Sequence, residues 1–142
     1  MKPPSLGVLT TAFWGFYELH RPAYLAYAAT HLPPEEAQIA VSHLFDLVAS
    51  TWTTVVAEQQ PSAWAWERLT HTVARRSGRA TTAMEDMYVL RDGLLLSIEQ
   101  IAMLTGTESA AVISRLAAAR RNHAHPDAGL TGASSLRTLS GG

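Results

Sequence analysis

An all-α fold of about six helices is predicted by two features of the 142-residue chain, and a third shows that it can bury a core. Apolar residues recur at three- and four-residue intervals almost throughout and never sustain the two-residue alternation of strands. Prolines, capping-type residues and glycines punctuate these periodic stretches at helix-length spacing. Hydrophobic residues make up 47% of the chain and charged ones 16%, a balance that supplies a packed core.

The first helix is expected over roughly residues 8–30. Leu9, Phe13, Phe16, Tyr17, His20, Tyr24 and Tyr27 give it one broad aromatic face, with Pro22 as a kink. "HLPPEE" breaks the chain and opens a second helix, placing two carboxylates where the macrodipole favours them. That helix runs from Glu35 to about Glu58, with Val41, Leu44, Phe45, Val48, Trp52 and Val55 as its buried stripe. Pro61 and Ser62 announce the third helix, Ser62 as candidate N-cap and Trp66, Leu69 and Val73 as the inner face. Arg75 and Arg76 suit its C-terminal dipole and Gly78 its stop. Thr82 and Glu85 form a capping box for a short fourth helix that Gly93 closes. Ser97 and Gln100 form another for the fifth helix, and Gly106 fits the tight turn after it. Val112, Leu116 and Ala119 line the inside of the sixth. The Gly/Ser/Thr-rich stretch at 123–142 has no face to bury and reads as a disordered tail.

Composition narrows the function. The net charge is −1, and ten of the eleven basic residues are Arg, which favours fixed, fork-shaped hydrogen bonding over diffuse attraction. Residues 1–60 carry two basic and five acidic side chains, and residues 61–142 nine and seven, so neither half suits tight, nonspecific phosphate binding. There is no cysteine, which removes disulfides and thiolate metal sites. No apolar run approaches the roughly 20 residues of a membrane span, and Met1 to Leu9 lacks the plan of a secretory signal. The expected location is the cytoplasm, without membrane association. A glycine-rich phosphate loop, a nucleophile elbow and an HExxH motif are all absent, so the chain reads as a non-enzyme without cofactor. Glu85 and Asp86 are adjacent on a helix and read as a solvated first turn rather than a catalytic pair. His123, His125 and Asp127 have ligand-like spacing but no supporting shell, so no metal site is assigned.

The order of helices carries a resemblance. "FYELHRPAYLAYA", "EEAQIAVSHLFDLV" and "AWAWERLTHTVARR" resemble region two of the extracytoplasmic-function sigma factors, and "LSIEQIAMLTGTESAAVISRLAAARR" resembles their region four. The likeness covers about residues 13–121 and is that of a degenerate member. It implies a bacterial transcription protein with a region-two-like part at 1–78 and a region-four-like helix-turn-helix at 82–122. In that family, region two binds RNA polymerase, and regions two and four read promoter elements.

The departures from that pattern modify the expectation. Ile39 and Ser42 stand where the family has an Asp and a Gln for the polymerase clamp. The segment between Trp52 and Trp64 is shorter than the loop that captures an unpaired promoter base. Positions 110, 114, 117 and 121 of the sixth helix would face a major groove, and they are Ala, Ser, Ala and Arg. Few of these side chains donate or accept at base edges. Ser114, Arg115, Arg120 and Arg121 are the candidate DNA-binding residues, and their three Arg could neutralise about three phosphates. Ile39, Ser42 and Asp46 are the candidate partner-binding residues. Four residues link the two parts and span at most about 14 Å at roughly 3.5 Å each, so the parts are expected to pack together.

The expected function is therefore a sigma-factor-like transcription regulator that works through a protein partner, with weak or partner-dependent DNA binding. Another transcription regulator, RNA polymerase or a second copy of the chain could fill the partner's place. A working promoter-specificity factor and a pure protein-interaction module are the alternatives.

Overall fold

A computed structural model describes residues 6–58 and 60–124, and every regular element in them is helical. The helices are α1 (Leu6–Ala29), α2 (Pro34–Ser50), α3 (Trp52–Glu58), α4 (Pro61–Ser77), α5 (Ala83–Tyr88), α6 (Ile98–Thr105) and α7 (Ser109–Ala124). A single π-helical turn, Val89–Gly93, follows α5 directly. The predicted tail at 125–142, with His125 and Asp127, lies outside the described residues, as does the side chain of His123.

The aromatic face of α1 forms the centre of the N-terminal core. Phe16, His20, Tyr24 and Tyr27 are buried there, and Tyr17 and Tyr24 each pack a ring against Phe45 of α2. The helix passes through Pro22 without ending. α2 lies against both α1 and α4, contributing Ala37, Ala40, Val41, Leu44, Phe45 and Val48.

The predicted second helix is two helices, broken at Thr51. The hydroxyls of Ser50 and Thr51 both donate to the carbonyl of Leu47, at 3.0 and 2.8 Å, and so compete with helix continuation. Trp52 and Val55 stay buried after the break. Ser62 is also corrected: the α4 N-cap is Gln60, with Pro61 at the first helical position. The Ser62 hydroxyl instead lies 3.3 Å from Nε2 of buried His20.

Both predicted capping boxes are formed, by Thr82 with Glu85 and by Ser97 with Gln100. Gly78 and Gly106 stop α4 and α6 in the left-handed conformation, where a missing Cβ removes the steric penalty.

Two contacts tie the C-terminal helices to the N-terminal ones. α4 packs against α6, and the Gly106 turn sits on the first turn of α4, so close that a Cβ there would meet the Ala63 backbone nitrogen at 2.6 Å. The second contact corrects the expected position of Asp86, which is only 5% exposed rather than solvated. Its Oδ1 accepts from the Tyr27 hydroxyl at 2.7 Å and from Thr81 Oγ1 at 2.6 Å. Burial raises the Asp86 carboxyl above its ordinary range, and these two donors act against that rise.

Candidate functional site

The predicted site residues occupy two helices. On α7, Val112, Leu116 and Ala119 are buried, which turns Ala110, Ser114, Ala117 and Arg121 outward together. Three residues, Gly106, Thr107 and Glu108, join α6 to α7, and the two helices pack on each other. α7 also packs against α5.

The outward face of α7 has little to offer a base edge. Ser114 and Arg121 can donate, and exposed Arg115 flanks them. Arg120 is engaged within the chain, its Nη2 donating at 3.0 Å to Oδ1 of Asp92 in the π turn. Both partners of that pair are exposed, so it adds little stability, but it lowers the charge that α7 presents. Ile113 is 55% exposed on the same helix.

On α2, Ile39, Ser42 and Asp46 are all exposed, because Ala40, Val41, Leu44 and Val48 take the inward positions. Ile39 is 41% exposed, and Ala40 beside it is buried and adds nothing to its surface. Ile39, His43 and Leu47 follow one another at four-residue spacing along the outer side of α2. Surface substitutions away from the core, helix caps and buried polar groups usually change stability by less than about 0.5 kcal/mol. Ile39→Asp is therefore expected to leave the melting temperature and helical circular dichroism nearly unchanged. A large loss of either would show that Ile39 is packed.

The structure also brings together residues that the sequence reading did not join. His43 and Leu47 of α2 face Arg68, His71 and Arg75 of α4 across an open cleft of about 360 Å³. In sequence, Arg75 has an adequate role at the α4 C-terminus, and His43 and His71 share no motif. The available signal was the spacing of Arg68, His71 and Arg75, which places all three along one side of a helix.

His20 is the other functional-type side chain of unusual environment. It is 3% exposed, packed edge-on to Phe16 and stacked on Tyr24, and burial lowers its pKa to about 4. It is a neutral core residue whose Nε2 lies 3.3 Å from the Ser62 hydroxyl.

Among the described residues, no three His, Asp or Glu side chains converge as metal ligands. No helix among them is long and apolar enough to cross a membrane. No protein-family model, curated protein or solved structure matches the chain.

Proposed function

We propose that the protein is a sigma-factor-like regulator of transcription in the bacterial cytoplasm, working through a protein partner and touching DNA weakly through α7. The observation that supports this reading is the pairing of two packed helices, α6 and α7, joined by a three-residue turn, with an outward α7 face of Ala110, Ser114, Ala117 and Arg121. The capping box of α6, the left-handed Gly106 and the three-residue turn suit a helix presented to a groove. The side chains on that helix supply little readout. Arg115 and Arg121 would meet phosphates, while Arg120 would first have to leave Asp92.

A partner resolves this mismatch, since tethering a weak reader beside a second DNA-binding surface raises its effective concentration. The exposed outer side of α2, with Ile39, Ser42 and Asp46, is the surface this reading assigns to that partner. The Arg120–Asp92 pair and exposed Ile113 also favour a second reading, a protein-interaction module without DNA contact.

The lone chain is expected to bind duplex DNA in the nonspecific range, on the order of 10⁻⁴ to 10⁻⁶ M at physiological salt. Fluorescence anisotropy with duplexes of varied sequence checks this. Sequence-selective nanomolar binding by the chain alone would contradict the need for a partner.

A further inference from the structure

The cleft between α2 and α4 has the chemistry of an anion-recognition surface. None of the residues that line it is acidic, and they include Arg68, Arg75, Arg76, His43 and His71. Arg76 is already committed, with its Nη1 donating to Glu36 Oε1 at 2.7 Å. Arg68 and Arg75 form no ion pair among the described residues. The Arg68 guanidinium lies over Trp64, 5.1 Å from the ring centroid. This cation–π contact restrains the guanidinium through the ring face, and its N–H groups are suited to a planar, two-oxygen acceptor. Arg68 and Arg75 lie two turns apart on one side of α4, and no acidic residue lines the cleft between them.

The occupant's class follows from what lies beside the arginines. Leu47 is 39% exposed in the cleft, and Ile39 stands two turns before it on the same side of α2. A segment that fills this surface needs carboxylates and an apolar side chain together. Nucleic acid fits less well, since two unpaired arginines neutralise about two phosphates and leave the leucine without a role.

We propose that the α2–α4 cleft docks an acidic peptide segment of the protein partner, its carboxylates on Arg68 and Arg75 and an apolar side chain on Leu47. This rests on the reading that the chain works through a partner, and it specifies that partner's chemistry. Arg68 and Arg75 are surface residues, so changing them leaves the core intact.

The test uses the full chain and a short fluorescent peptide rich in Glu with a single Leu. A counterpart with every Glu replaced by Gln, and a single-stranded oligonucleotide of matched charge, serve as comparisons. The acidic peptide is expected to bind about tenfold or more tightly than the Gln peptide, and Arg68→Glu/Arg75→Glu is expected to abolish that difference. Arg68→Gln/Arg75→Gln replaces the charge-reversed pair if reversal lowers the helical content. Equal binding of the two peptides, or an affinity unchanged by both double variants, would overturn the proposal. An oligonucleotide that displaces the peptide and itself depends on Arg68 and Arg75 would overturn it in favour of a nucleic-acid site. Should the peptide fail while the charge-reversed chain still retains the wild-type partner from host extract, the cleft is wrong and the partner reading stands. Should the wild-type chain retain no partner either, both fall.

Discussion

Gly106→Ala is expected to destabilise the protein by about 3 kcal/mol or more, lowering its melting temperature by roughly 10–15 °C. Gly106 has φ +69°, and a Cβ there would lie 2.6 Å from the Ala63 backbone nitrogen and 2.7 Å from its Cα. No rotamer change relieves a clash with backbone, so α4 and the α6–α7 turn must move apart. Gly78→Ala provides the internal comparison. Its φ is +76°, but nothing lies within 4 Å of the added carbon, so it carries the left-handed penalty alone. That penalty is about 1 kcal/mol, or roughly 3–5 °C. Thermal unfolding followed by circular dichroism separates the two terms. Similar losses for both variants would mean that the turn does not rest on α4.

Acidification should reveal His20. In the folded chain, burial lowers its pKa from 6.5 to about 4, whereas the unfolded chain accepts a proton at the ordinary value. Between those values the unfolded state binds more protons, so stability is fully present above pH 6.5 and is lost as pH falls through about 4. A shift of this size corresponds to about 3 kcal/mol at roughly 1.4 kcal/mol per unit. His20→Gln keeps a polar group for Ser62 and removes the titration. Denaturant unfolding at neutral pH and near pH 4 should show wild type losing about 3 kcal/mol more than the variant. Asp86 acts with the opposite sign. Its carboxyl is raised, so its contribution is present below the ordinary carboxylate range and is lost as pH rises through the folded value. Because Asp86 is common to both chains, it cancels in the difference. Equal losses in the two chains would show that His20 reaches water.

The features legible in the sequence are those set by neighbours within a turn or two. The aromatic face of α1 follows from three- and four-residue spacing, and both capping boxes are formed by residues three apart. The break at Thr51 was hidden because the apolar stripe runs on through Trp52 and Val55, while the interruption comes from two small hydroxyls bonding back to Leu47. The burial of Asp86 depends on Tyr27, 59 residues away, which local spacing cannot register. The same holds for Ser62, drawn from a capping role toward His20 on another helix. Both predicted site faces could be read from helical period alone. The α2–α4 cleft could not, because half of it belongs to each helix and only their packing joins Leu47 to Arg68 and Arg75.

The most direct test of the proposal that the chain is a partner-dependent, DNA-associated regulator is chromatin occupancy of the tagged chain in its native host. Wild type would be compared with Ser114→Ala/Arg115→Ala/Arg121→Ala. Discrete occupied loci, lost or strongly weakened in the triple variant while the protein level holds, are the predicted result, alongside weak DNA binding by the purified chain. Absence of occupancy above background for wild type would contradict DNA association and leave the interaction-module reading in its place.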